Sequence, residues 1–148
     1  MNIHISIKDQ SLTLQHEGKE LASYVISSAS NGIGFEEGSY CTPTGNFEIR
    51  EKIGDGEAVG TVFRSRKPER IWTGEEEDGD LVLSRILRLH GLDPDNANSM
   101  ERYIYIHGTN HENLLGQPAS CGCIRMSNAD VIDLYDRIDE GTPTVIEP

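Results

Sequence analysis

Residues 103–130 read YIYIHGTNHENLLGQPASCGCIRMSNAD, and the fold class turns on how this stretch is divided. Tyr103-Ile104-Tyr105-Ile106 is a β-branched and aromatic run that ends in His107-Gly108, which predicts a strand delivering a histidine to a turn. Ser127-Asn128-Ala129-Asp130 has the Ser-x-x-acid form of a helix capping box, and Val131, Leu134, Tyr135 and Ile138 then fall on one face. Gly141 ends that helix, and Thr144-Val145-Ile146 closes the chain as a strand. Between the first strand and the helix lies a glycine-hinged cysteine segment, Ser120-Cys121-Gly122-Cys123.

Outward from this stretch the pattern is mostly sheet. Ile3, Ile5 and Ile7, then Leu12 and Leu14, then Tyr24, Val25 and Ile26 alternate with polar residues at period two, with a turn at His16-Glu17-Gly18-Lys19, so an antiparallel meander is expected. Phe47 and Ile49 alternate again after Thr42-Pro43-Thr44-Gly45. From Gly54 to Asp80 the pattern degrades, and the acidic run Glu75 to Asp80 reads as a solvated loop, since calcium loops need carboxylates at alternating positions. Leu81 to Leu89 fits a strand or a helix equally well. The expected class is mostly β, with antiparallel sheets and one prominent C-terminal helix, in one domain spanning 1–148.

Composition narrows the function. The chain carries 13 Lys+Arg against 25 Asp+Glu, a formal charge of -12, which repels nucleic acid and anionic membrane surfaces. No apolar run approaches the roughly 20 residues of a membrane span, and the opening segment lacks the features of a secretory signal. A cytoplasmic location is expected, or a periplasmic one if a signal has been removed. Cys41, Cys121 and Cys123 are an odd number of cysteines and fit a reducing compartment.

The chemistry concentrates between His107 and Arg125. A histidine at a strand end and a cysteine after a flexible glycine are the parts of a Cys-His nucleophile pair. The position of Cys123 just ahead of the Ser127 helix cap predicts a lowered thiol pKa. Backbone N–H groups around Gly122 and Cys123 suit an oxyanion hole. His107, His111, Cys121 and Cys123 also write a His-x3-His and Cys-x-Cys set, but the Cys-x-Cys spacing is tighter than zinc sites use, so no metal and no cofactor is expected. His4, His16 and His90 read as exposed or element-end residues.

HGTN, Gly116, SCGCIRM and the Asn-Ala-Asp helix resemble the YkuD-type L,D-transpeptidase catalytic domain, and the Thr42-Pro43-Thr44-Gly45-Asn46-Phe47 and Gly141-Thr142-Pro143-Thr144-Val145-Ile146 flanks extend the resemblance over nearly the whole chain. The resemblance implies that Cys123 is the nucleophile, His107 the base and Gly108 the residue whose carbonyl orients the imidazole. It also implies oxyanion donors at Gly122 and Cys123. Arg125 either holds a substrate carboxylate or braces the loop, and Ser120 and Tyr105 are further candidates for substrate contacts; Arg85 and Arg102 are additional cations. Cys121 stands where many members have histidine, which removes a second histidine from the site and places another thiol beside the nucleophile.

The implied substrates are peptidoglycan stem peptides, cleaved between the L-centre of diaminopimelate or lysine and D-alanine, with a carbapenem-sensitive thiol. Water as acceptor makes the chain an L,D-carboxypeptidase of muropeptide recycling, the favoured expectation. An amine acceptor makes it a transpeptidase forming 3-3 crosslinks, and a non-catalytic stem-peptide-binding module is the third possibility.

Overall fold

The alternating start of the chain builds β1 (Asn2–Ser6), β2 (Ser11–His16) and β3 (Lys19–Val25) in a computed structural model that describes residues 1–148. Ile3, Ile5, Leu12 and Leu14 are fully buried, as period two requires of one sheet face. Glu17 and Gly18 both take positive φ, 51° and 78°, which makes the tight β2–β3 turn twist with its strands.

The remaining strands are β4 (Gly45–Ile53), β5 (Thr61–Arg64), β6 (Lys67–Ile71), β7 (Leu83–Gly91), β8 (Tyr105–Gly108), β9 (Ile124–Met126) and β10 (Pro143–Glu147), with one helix, α1 (Asn128–Arg137). They join in a ten-stranded sheet of order β3-β2-β1-β10-β4-β7-β5-β6, with β8 paired to β7 and β9 paired to β8. The mostly-β class with a C-terminal helix is what the pattern indicated. Two pairings depart from the expected antiparallel arrangement: β1 with β10 and β8 with β9 are parallel. Each joins strands separated by a crossover that includes other structure, which is the condition parallel pairing needs.

Three local expectations change. Within Leu81 to Leu89, the residues from Leu83 onward resolve as strand, because β7 lies between β4 and β5 and also carries β8, so both its edges are occupied. The stretch from Gly54 to Asp80 contains the β5–β6 hairpin, whose second strand is exposed throughout. The strand at 103–106 starts only at Tyr105, since Tyr103 sits in a turn with φ of 56°.

α1 begins where the capping box places it, with the Ser127 hydroxyl accepting from the Asp130 N–H at 3.1 Å. Its buried face, Val131, Leu134 and Tyr135, packs in one core with Ile3, Leu12, Ile49, Leu87, Ile106 and Ile124. Alternation along β8 and β9 then matters for the site. Ile104, Ile106, Ile124 and Met126 enter this main core, while Tyr105 packs with Phe63 and Ile86, with Cys123 against them. The side chains of opposite parity therefore form a second, smaller layer. No helix is long and apolar enough to cross a membrane.

Candidate active site

Parallel pairing of β8 with β9 sets His107 opposite Arg125 and Gly108 opposite Met126. His107 is buried, and its Nδ1 lies 2.6 Å from the Gly108 carbonyl oxygen. A carbonyl only accepts, so Nδ1 carries the proton of the neutral ring and Nε2 keeps its lone pair. Burial holds the imidazole below its ordinary pKa and the Arg125 charge adds to this, against opposing contributions from Asp80 and the Gly108 carbonyl. The resting ring is a neutral base of defined tautomer.

Gly108 occupies a position with no room for a side chain. A Cβ there would lie 2.5 Å from Asn128 Oδ1 and 2.7 Å from the Leu83 carbonyl oxygen. Gly108→Ala is therefore expected to cost about 2 kcal/mol in urea denaturation through overpacking, and to displace the carbonyl that orients His107.

Cys123 is half-buried, four residues upstream of Ser127, with β9 intervening before the helix. Its Sγ accepts from the Tyr105 N–H at 3.3 Å, and its thiol donates to the Tyr103 carbonyl at 3.4 Å. Burial pushes the thiol up to about 12, with the charges of Asp80 and Cys121 acting in the same direction and the Tyr105 N–H and Arg102 opposing. This reverses the lowered pKa expected from a helix start. Burial therefore favours the neutral forms of both the Cys123 thiol and the His107 imidazole.

The loop before Cys123 is held from within. Gly122 has φ of 129°, in the region that favours glycine, and its carbonyl accepts from Thr42 Oγ1 at 2.9 Å. Its N–H donates to Ser120 Oγ at 3.2 Å, and that hydroxyl donates to the Cys123 carbonyl at 2.6 Å. Of the two expected oxyanion donors, the Gly122 N–H is thus engaged by the loop, whereas the Cys123 N–H makes no hydrogen bond. Ser120, expected to contact substrate, is 1% exposed and braces the loop instead. Tyr105 is also buried, its hydroxyl accepting from Arg66 Nη1 at 3.2 Å.

Arg125 is 1% exposed and pairs through Nη1 with Asp80 at 3.1 Å, while its Nε and Nη2 have no partner. Bracing is the role this geometry displays. Asp80 ends the acidic run that the pattern placed wholly in solvent. Asn110 donates to the carbonyls of Glu77 and Gly79, and His111 Nε2 lies 2.9 Å from the Glu77 carbonyl oxygen, which together hold the segment against the site. Asp80→Asn keeps the shape and removes the charge facing the buried guanidinium, so a loss of about 2 kcal/mol is expected in urea denaturation. The same change moves the His107 pKa further down, because the carboxylate favours the imidazolium.

The other cations divide. Arg85 is buried and donates to the carbonyls of Ser84 and Glu57. Arg102 donates to the Cys41 carbonyl at 2.7 Å and lines a cavity of about 190 Å³ with Glu37, Tyr40, Glu101, Tyr103 and Cys121. Cys121 is exposed, and all three cysteines are free. No three His, Cys, Asp or Glu side chains gather in a geometry that holds a metal ion. Asp80, Thr42 and Tyr103 were not legible as site residues; only Thr42 carried a signal, in the Thr-Pro-Thr-Gly flank.

A family model described as YkuD, L,D-transpeptidase catalytic domain, matches residues 2–146. YqjB of Bacillus subtilis (strain 168), which bears an L,D-transpeptidase name, is 39% identical over 106 residues, 71% of this chain and 51% of that protein. Among solved structures, an L,D-transpeptidase from Mycobacterium smegmatis superposes with a TM-score of 0.66 at 19% identity, covering 99% of this chain and 58% of the other. L,D-transpeptidase 3 from Mycobacterium tuberculosis in complex with a faropenem-derived adduct gives 0.64 at 18% identity, covering 99% and 59%. The chain spans about half the length of the proteins it matches over most of its own length.

Proposed function

Because the chain belongs to the YkuD family of L,D-transpeptidase catalytic domains, we propose that it is a cysteine acyl-transfer enzyme acting on peptidoglycan stem tetrapeptides, cleaving between the L-centre of the third-position diamino acid and D-alanine. The observation that carries this is the His107–Gly108 pair, which leaves Nε2 as an unprotonated base on the strand beside the Cys123 loop. In the first half-reaction Nε2 takes the thiol proton as Sγ attacks the carbonyl carbon. The Cys123 N–H supports the charge developing on oxygen. The imidazolium then protonates the departing amine, D-alanine leaves and a thioester remains.

In the second half-reaction water attacks the thioester with His107 again as base, which makes the chain an L,D-carboxypeptidase of muropeptide recycling in the cytoplasm. Three free thiols fit a reducing compartment. By the same mechanism a carbapenem acylates Cys123, a reading supported by the similar L,D-transpeptidase structure in complex with imipenem.

Mass spectrometry of a disaccharide-tetrapeptide, with and without an added D-amino acid, tests the proposal. Loss of one D-alanine with little exchange is expected. Dominant exchange or dimer formation would make the enzyme a transpeptidase, and no turnover would leave a binding module.

A further inference from the structure

The tip of the β5–β6 hairpin stands over the residues that hold the thiol. Phe63, on β5, packs with Tyr105 in the layer against which Cys123 rests. At the tip, Arg66 Nη1 donates to Tyr105 Oη at 3.2 Å and the guanidinium lies 5.2 Å from the centre of the Tyr103 ring. Tyr103 and Tyr105 are the two residues whose backbone groups bond Cys123 Sγ. Arg66 is therefore one side chain removed from the nucleophile.

The turn itself is an unusual place for this residue. Ser65 and Arg66 both take left-handed φ, 49° and 66°, in a two-residue connection where Asn-Gly is the favoured sequence. A serine and an arginine accept strain there that glycine would avoid, and such outliers concentrate at sites of function.

Arg66, Arg85 and Arg102 pair with no carboxylate, and of these Arg85 is buried and bonded to the carbonyls of Ser84 and Glu57. In a chain of net charge -12, Arg50, Arg64, Arg70, Arg88, Arg125 and Arg137 each pair with a carboxylate, whereas Arg66 has none. Arg88 and Arg102 also lie near Tyr103, but Arg88 is taken by Glu51 and the Met100 carbonyl, and Arg102 by the carbonyls of Gly34 and Cys41. Arg66 donates one hydrogen bond to protein and keeps its remaining N–H groups for a ligand. A guanidinium fork fits a carboxylate bidentately and gains little from a carboxamide.

We propose that Arg66 is a specificity-determining residue that binds a free carboxylate of the stem peptide beside the scissile bond and selects against the amidated form. This rests on the proposed reaction and names the substrate feature it reads. Tyr105, whose ring carries the Arg66 contact, acts through it as a positioning residue.

The test compares D-alanine release from a free-acid disaccharide-tetrapeptide with release from two amidated forms, one at the isoglutamate α-carboxylate and one at the diaminopimelate side-chain carboxylate. The parent protein, Arg66→Gln, Arg66→Lys and the neighbouring control Arg64→Gln are each assayed. The parent is expected to favour the free acid over one amidated form about tenfold, through KM. Arg66→Gln should erase that preference without slowing the amidated peptide, Arg66→Lys should retain part of it, and Arg64→Gln all of it. Turnover without preference in the parent, or Arg66→Gln slowing every peptide alike, would overturn the assignment while leaving the reaction standing. Failure of the parent to release D-alanine from any of the three would overturn the reaction and the assignment together.

Discussion

Cys123→Ala is expected to reduce D-alanine release from a stem tetrapeptide by at least about 10⁴-fold, to the floor of the assay, because the proposed thioester forms on its sulfur. Cys121→Ala is expected to retain activity, since Cys121 is exposed toward the cavity lined by Arg102 and Tyr103 and is not bonded to the β8 backbone. The paired readout is covalent labelling by a carbapenem followed by intact mass, in which the adduct is lost from Cys123→Ala and kept in Cys121→Ala. The reverse pattern would move the nucleophile to Cys121. Resting-state alkylation should behave differently from acylation. Burial disfavours the Cys123 thiolate, so iodoacetamide should modify exposed Cys121 well before Cys123.

His107→Gln is expected to lower kcat/KM by about 10²- to 10⁴-fold, the range a positioned general base supplies. The pH dependence carries more information than the loss. In the proposed mechanism the active form is neutral imidazole, and burial places its pKa below the ordinary 6.5, so activity should fall only as the pH drops below that value. Thiol ionisation lies near 12 and adds no limb through pH 9. A profile of D-alanine release that rises below pH 6.5 and then stays flat is the expected result. A preformed thiolate–imidazolium pair would instead lose activity as the imidazolium deprotonates, and a bell centred near neutrality would show it. Asp80→Asn should shift the acid limb to still lower pH.

The parts of this molecule that were legible in sequence are those specified by neighbours along the chain. The meander follows from alternation at Ile3, Ile5, Leu12 and Leu14, and α1 follows from its Ser127 cap and its apolar face. At the Cys-Gly-Cys segment and His107, residue type and spacing were only suggestive of a Cys-His pair, and the roles assigned to them came from the family resemblance. Leu81 to Leu89 was ambiguous because partners on both edges, remote in sequence, make it a strand. The β5–β6 hairpin escaped notice because Lys67-Pro68-Glu69-Arg70 is an exposed edge with no apolar period to read. Asp80 was hidden in a run of like charges, and it is Asn110 and His111, thirty residues on, together with the Arg70–Glu77 pair, that hold its segment near Arg125. The direction of the Cys123 pKa was misjudged for a related reason. Proximity to a helix in sequence suggested stabilisation of the thiolate, while β9 carries the chain into a buried layer before that helix begins.

The placement of β10 between β1 and β4 has a bearing on how the chain acquires its structure during synthesis. The meander at the front of the chain joins the rest of the sheet only through Pro143–Glu147, the last of the ten strands in chain order. Until β10 pairs with it, β1 keeps an open hydrogen-bonding edge, and the long loop closure this demands predicts slow, late consolidation. Nascent chains stalled a few residues short of β10 should consequently be cut readily by proteases in the meander, well after the segment bearing His107 and Cys123 has emerged.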